Sequence, residues 1–356
     1  MLIGRVQRYL LRETLMAWLG VTVVLVVVLL TNRLVRFMAD AARGDVPPDV
    51  IFTLLGLKAL ANLGVVLPAS FFLAVILALG RLYRDSEMAA MAACGVGPRA
   101  VLRGLYALAV PLAVVVAALS LTLGPWAEGT ADDAVAAASE RAQFAGLQGG
   151  RFLPLGDDGG VLYVESVADD GTLRGLFARL GNGPEERLVV AERAYRRNGG
   201  QGGGRFLVLA DGYRYDGVAG QPAWRTLAFG EHGIRVDDRG GTRSRTRRDA
   251  QSTPALLADG GRDAGAELQW RVAMPVSVLV LALAAVPLAR SAPREGRYAR
   301  LVAAVLVYVG YFNGLKAAQD WYESGVTPPW LGIWWVHLAV LALAGSLLWR
   351  QFGSRR

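Results

Sequence analysis

TLMAWLGVTVVLVVVLLTN (Thr14–Asn32) contains no Asp, Glu, Lys or Arg. A helix crosses a bilayer core with about 20 predominantly apolar residues, so this stretch reads as a membrane span. The same absence of charge recurs over Ala59–Gly80, Gly104–Ala127, Val272–Ala289 and Ser324–Trp349. Leu301–Gln319 carries a single charge, Lys316. The pattern predicts six transmembrane helices, three before and three after a long polar insert. It divides the chain into a first membrane half (1–126), an inserted domain (127–266) and a second membrane half (267–356).

The 356-residue chain is 53% hydrophobic, too apolar for one ordinary soluble domain. Its net charge of +8 would suggest a nucleic-acid partner in a soluble protein. Here the basic residues fall in short loops on one side, as membrane topology demands, and no nucleic-acid partner is expected. Arg5, Arg8 and Arg12 precede the first span, and Arg81, Arg84, Arg99 and Arg103 separate the second from the third. Arg290, Arg294, Arg297 and Arg300 separate the fourth from the fifth, and Arg350, Arg355 and Arg356 end the chain. The opposite loops are acidic or mixed, with Asp40, Arg43, Asp45 and Asp49 after the first span and Asp320 and Glu323 after the fifth. Both termini are therefore expected in the cytoplasm and the insert on the other side. Cys94 is the single cysteine, so no intramolecular disulfide can staple the insert.

Along the chain, residues 3–14 read as a short amphipathic lead-in. Gly44-Asp-Val-Pro-Pro48 reads as a turn, Pro68 as a kink site, and Gly124-Pro-Trp126 as the end of the third span. In the insert, Ala127–Gln148 reads as a helix. Short alternating runs follow, such as Val161-Leu-Tyr-Val-Glu-Ser-Val167, separated by Gly/Asp/Asn clusters, which is the pattern of a β-sandwich, jelly roll or barrel. Residues 237–266 are polar and basic and read as a loop.

Much chemistry is missing. Neither of the two lysines, Lys58 and Lys316, follows a G-x-x-x-x-G, so there is no P-loop, and G-x-S-x-G does not occur. The two histidines, His232 and His337, make no pair at metal spacing, and one cysteine makes no thiolate site. No catalytic, metal or cofactor site is expected.

Two groups of residues carry a positive signal. The first lies in the loop at about 84–95, where Asp85 or Ser86 can cap a short helix and Glu87 sits in its first turn, favoured by the helix dipole. Met88, Met91 and Ala92 share one side of that helix, and Gly95 and Pro98 stop it. An exposed methionine face suits a partner groove, though an ordinary interfacial loop helix fits the same residues. The second group is a set of cations near the external boundary: Arg33, Arg36, Lys58 and Lys316. Ionisable residues at membrane depth are costly and mark function by default. Snorkelling to headgroups is the bland alternative, but Arg33 and Arg36 break the positive-inside rule, and an anionic external ligand explains that.

These stretches together resemble the LptF/LptG permease family of the lipopolysaccharide exporter. The resemblance is carried by Arg8-Tyr-Leu-Leu-Arg-Glu-Thr14, Asn32-Arg-Leu-Val-Arg36, Leu54-Leu-Gly-Leu-Lys58, Leu79-Gly-Arg-Leu-Tyr-Arg-Asp-Ser-Glu-Met88, Ala93-Cys-Gly-Val96, Gly124-Pro-Trp126, Val161–Val167 and Ala266-Glu-Leu-Gln-Trp-Arg271. It covers nearly the whole chain in order; 237–262 and the C-terminus match weakly. Asp85-Ser-Glu-Met88 and Ala93-Cys-Gly95 point to the LptF branch over its sister LptG. A permease of another lipid or lipoprotein ABC exporter is the other alternative, which the three-plus-three layout resists.

The resemblance implies a Gram-negative inner-membrane transport subunit that is not itself an enzyme. It implies six transmembrane helices with a periplasmic all-β jelly-roll domain. The partners implied are a homologous permease (LptG-like), a cytoplasmic ATPase dimer (LptB-like), a periplasmic jelly-roll partner (LptC/LptA-like) and lipopolysaccharide. The segment with Glu87, Met88 and Met91 corresponds to the family's ATPase-coupling helix. Arg33 and Lys316 fall where the family places cations facing lipid A phosphates; Arg36 and Lys58 join them from their position alone.

Overall fold

The computed structural model describes residues 2–43, 46–146, 150–155, 160–168, 172–180, 185–198, 205–218, 220–235, 248–290 and 297–352. Asp45, Arg294, Arg355 and Arg356 of the charge pattern, and 236–247 of the polar stretch, lie outside them. The chain forms two compact units, one built from 1–135 and 245–356 and the other from 136–244.

The first unit is helical. Its helices are α1 (Leu2–Ala42), α2 (Ile51–Arg84), α3 (Glu87–Ala93), α4 (Pro98–Ala118), the start of α5 (Gly124–Gly146), α6 (Thr253–Asp259), α7 (Arg262–Ala289), α8 (Arg297–Glu323) and α9 (Trp334–Phe352). Among the described residues four stretches are long and apolar enough to cross a membrane: Val6–Ala42, Pro48–Arg84, Pro98–Ala138 and Arg262–Ala289. α8 and α9 are not among the four.

α2 and α7 form the centre. Leu67, Phe71, Val75, Leu79 and Leu82 line one side of α2, and Met274, Val278, Leu281 and Ala285 one side of α7, at three- to four-residue spacing. Lipid tails are as apolar as these side chains, so close packing rather than water exclusion holds such helices together. Small buried residues allow it: Ala74 and Ala78 on α2, and Ala273, Ala282 and Ala289 on α7. α1, α4, α8 and α9 pack around this pair.

α1 is peripheral. It leaves Met16, Leu19, Val23, Val24, Val27 and Val28 exposed and is held by polar contacts. The Trp18 indole N–H and the Thr22 hydroxyl both donate to Ser70 Oγ, at 3.0 and 2.9 Å, and Ser70 donates to the Leu67 carbonyl. The expected lead-in at 3–14 is no separate element, since α1 runs unbroken through it. Pro68 likewise lies inside an uninterrupted α2.

The helix of the third span does not end at Gly124-Pro-Trp126. A π-helical turn over Leu119–Leu123 carries α4 directly into α5. Proline has no N–H to bond the carbonyl four residues back, so Pro125 frees Leu121 O, and the helix widens rather than stops. Gly124 permits this, because a Cβ there would stand 2.9 Å from the Leu119 carbonyl oxygen. Of the polar stretch 237–266, the described part forms α6 over Thr253–Asp259 and the start of α7 at Arg262 rather than a loop.

The second unit contains the end of α5 and six strands, β1 (Arg151–Leu155), β2 (Gly160–Val167), β3 (Leu173–Leu180), β4 (Glu185–Asn198), β5 (Arg205–Val218) and β6 (Trp224–Arg235). Among the described residues they make one antiparallel sheet in sequence order, because each short turn joins neighbours. The strands stand where the sequence predicts them, whereas the two-sheet jelly-roll arrangement is not drawn by this strand order. Val164, Leu176, Ala178, Val189, Ala191 and Leu209 form its core. Outside the core, Arg214, helped by Arg187, holds the Asp216 carboxyl below the usual carboxylate range.

One row of the sheet is unpaired on every strand from β2 to β6: Glu165, Gly175, Glu192, Asp211 and Gly230. Gly175 and Asp211 have φ of 62° and 56° there, in the left-handed region that Gly and Asp tolerate best. The buried face changes parity across the row, from Leu176 and Ala178 to Leu173 on β3, and from Val189 and Ala191 to Ala194 on β4. The row is thus a crease, and the strict alternation assigned to the strands holds only on each side of it.

Candidate functional site

The helical unit holds a cavity of about 330 Å³ where α1, α2 and α8 meet. Leu25, Val28, Leu29, Asn32, Arg33 and Arg36 line it from α1. Their spacing of three and four residues sets them on one helical face. Val65, Val66 and Ala69 of α2 and Tyr308 of α8 add apolar wall, and Asn62 adds an amide. Arg33 is half-buried and Arg36 exposed. Arg33 Nη2 donates to Asn62 Oδ1 at 3.5 Å, and the Asn62 amide donates to the Lys58 carbonyl at 2.6 Å. An apolar pocket with two guanidiniums at one end can take acyl chains in its wall and an anionic group at its polar end.

The structure brings Arg33 and Arg36 together but places the other two predicted cations elsewhere. Lys58 is ion-paired with Glu128 on α5, and Asp132 Oδ1 lies 3.6 Å away. Lys316 Nζ sits 3.7 Å above the centre of the Trp270 ring, a cation–π contact. Neither lines the cavity.

The predicted coupling segment is a separate helix, α3, after a sharp turn. Ser86 stands at its N-cap in the left-handed region (φ 60°) and makes no side-chain capping bond, so the expected cap is absent. The C-terminal stop is as expected. Gly95 has φ 82°, Val96 N–H bonds Met91 O at 2.9 Å and Gly95 N–H bonds Ala92 O at 3.0 Å, which is a Schellman closure. Met88 and Met91 are half-buried against the bundle core rather than forming an exposed face. Ala89, Ala90, Ala92 and Ala93 face outward instead. Glu87 Oε2 accepts a 2.7 Å hydrogen bond from the Tyr9 hydroxyl.

Sequence reading missed a buried node at the other end of the bundle. Arg271 on α7 is 2% exposed and uses its whole guanidinium. Nε donates to Glu267 Oε1 at 2.7 Å, Nη1 to Gln251 O and Thr253 Oγ1, and Nη2 to Arg248 O and Asp249 O. Thr253 Oγ1 in turn donates to Leu121 O at 2.5 Å, the carbonyl that Pro125 leaves free, and Ser120 Oγ donates to Arg271 O at 2.9 Å. The segment returning to the membrane unit is thereby fastened to α7 and to the π-turn. In sequence, Glu267 four residues before Arg271 reads equally as a surface pair, and the Ala266–Arg271 and Arg8–Thr14 stretches carry the family resemblance without assigning Arg271 or Tyr9 a role. Asn62 carried no signal of its own. Among the described residues no three His, Cys, Asp or Glu side chains gather as a metal-ligand set.

The profile of the family described as "Lipopolysaccharide export system permease LptF/LptG" matches residues 8–350. The chain is 31% identical over 356 residues to the lipopolysaccharide export system permease protein LptF of Escherichia coli strain K12, covering 98% of this chain and 96% of that protein. It is equally similar, over the same shares, to the LptF of Shigella flexneri. A match that spans both helical halves and the sheet between them is a match to the whole architecture, and the chain belongs to the LptF/LptG family of lipopolysaccharide export permeases.

Proposed function

We propose that this permease takes lipopolysaccharide from the outer leaflet of a Gram-negative inner membrane through the cavity between α1, α2 and α8. The observation that carries this reading is the pairing of Arg33 and Arg36 with an apolar wall, which matches a phosphorylated, acylated lipid. Arg33 and Arg36 take the phosphates first. Lys58 and Lys316 join by exchanging their present partners, Glu128 and the Trp270 ring. A photocrosslinker at Val66, on the cavity wall, is expected to capture lipopolysaccharide in membranes. Capture of bulk phospholipid alone would replace this reading by simple snorkelling.

In this reading α8 and α9 complete a six-span bundle with α1, α2, α4 and α7. Exposed Val302, Val305, Leu306 and Val309 on α8 and Leu338 and Leu343 on α9 give each a lipid-facing side. Exposed Trp126, Trp321 and Trp330 suit the periplasmic boundary and Trp349 the cytoplasmic one. Both termini are then cytoplasmic and 127–266 periplasmic. Cys94 is the single cysteine and exposed, so a membrane-impermeant maleimide should label it in inverted vesicles and not in right-side-out ones. The opposite pattern would reverse the topology.

Energy comes from a separate cytoplasmic ATPase dimer that docks on α3 through Glu87, with Met88 and Met91 backing that surface from the core side. A homologous permease completes the complex. The creased sheet serves as the family's jelly-roll module, and its edge strands β1 and β6 offer open backbone for a periplasmic jelly-roll partner to extend.

A further inference from the structure

The stretch Arg8–Thr14 lies outside the cavity, and its Tyr9 donates to Glu87 of α3. Its side chains meet the other cytoplasmic elements. Tyr9 and Glu13 lie four residues apart on one face of α1. Arg81 of α2 binds both, with Nη1 2.8 Å from Glu13 Oε1 and Nη2 donating to Tyr9 Oη at 3.3 Å. Tyr9 then passes its own proton toward Glu87 of α3 at 2.7 Å. Arg81 also stands 4.0 Å from Asp85, at the turn between α2 and α3.

α1 continues without a break from this cluster to Arg33 and Arg36. From Tyr9 to Arg33 a helix rises about 36 Å at 1.5 Å per residue. Between these ends, α1 is fastened to α2 by the Trp18 and Thr22 bonds to Ser70, while most of its middle stretch stays exposed. α1 packs on α2 and α4 by one side and leaves Leu19, Val23, Val24, Val27 and Val28 open on the other, so the unbroken helix can shift or turn as a unit toward its open side.

We propose that α1 is the rod that carries events at α3 to the cavity, with Tyr9 as the joint between them. The inference rests on the reading of α3 as the ATPase-docking helix. When the ATPase moves α3, the Tyr9–Glu87 bond draws the cytoplasmic end of α1 with it, and Arg33 and Arg36 move relative to Asn62 and Val66. Tyr9 is a positioning residue: it touches neither nucleotide nor lipid.

The test uses the full complex of both permeases and the ATPase in nanodiscs containing lipopolysaccharide, with a photocrosslinker at Val66. Crosslink yield is compared without nucleotide and after vanadate trapping. In the parent complex the two yields should differ. Tyr9→Phe keeps the ring and removes the donor. It should shrink that difference roughly three- to tenfold, the scale of one lost hydrogen bond. The ATPase should co-purify in equal amount and the KM for ATP should not change. Glu13→Gln, which loosens Arg81 from α1, should act in the same direction and serves if Tyr9→Phe fails to assemble. Equal yields in the two states of the parent complex, or a parental difference in both variants, would overturn the proposal. Glu87→Gln separates this from the docking reading. If that variant retains full ATPase association and stimulated hydrolysis, docking through Glu87 is wrong, whereas the Tyr9→Phe yields still decide the role of α1.

Discussion

Arg271→Met is expected to destabilise the membrane unit by about 3–5 kcal/mol, the usual penalty for breaking one side of a buried ion pair. Methionine keeps most of the volume but removes every donor. Glu267, 8% exposed, would then be left as an uncompensated charge, and the carbonyls of Arg248, Asp249 and Gln251 would lose their donor. The readouts are the unfolding temperature in mild detergent and trypsin cleavage at Arg248, which should become rapid as its segment lifts from α7. Adding Glu267→Gln should recover part of the loss, because it removes the stranded charge. Thr253→Val should cost less, about 1–2 kcal/mol for its two hydrogen bonds. An Arg271→Met protein with parental stability and protease resistance would show that these bonds do not hold the segment.

The second large effect is on capture. Arg33→Glu combined with Arg36→Glu should lower lipopolysaccharide crosslinking at Val66 by roughly a hundredfold or more, with assembly unchanged. A guanidinium 4 Å from a phosphate contributes about 4 kcal/mol at an effective dielectric of 20, and reversing the sign turns attraction into repulsion. Arg36 is exposed and Arg33 half-buried, so Arg33→Glu alone should account for most of the loss. Lys58→Gln should act differently. It leaves Glu128 and Asp132 without their cation and so disturbs the contact between α2 and α5 as well as capture. Undiminished crosslinking and export in the double variant would remove the cavity from the transport path.

Four of the spans, the insert and its strands were legible because each is a local property. A charge-free run of the right length partitions into lipid whatever its neighbours do. Short alternating runs between Gly/Asp turns read as strands, but their pairing in chain order was not read from them. Gly95 stopped α3 as read, since that closure involves only adjacent residues. Local signals failed where another segment supplied the missing partner. Gly124-Pro125 reads as a terminator, but Thr253 accommodates the freed carbonyl of Leu121 and the helix goes on. Strand alternation failed at the crease, where Gly175 and Asp211 shift the buried face by one residue.

The cations divide along the same line. Sequence places Arg33, Arg36, Lys58 and Lys316 near one boundary, and only Arg33 and Arg36 break the positive-inside rule. Tertiary structure separates them, because the field at a charge is set by what packs against it. Glu128, 70 positions along the chain, meets Lys58, and the Trp270 ring meets Lys316. Arg33 and Arg36 are left on the face of α1 that turns toward the cavity. The sequence by itself determined a multi-span membrane protein with an inserted sheet, because solvation of each segment depends on its own residues. Which charges can meet a ligand, how Tyr9 reaches Glu87, and how Arg271 binds the returning segment were decided only by the tertiary structure, because each depends on contacts between segments far apart in the chain.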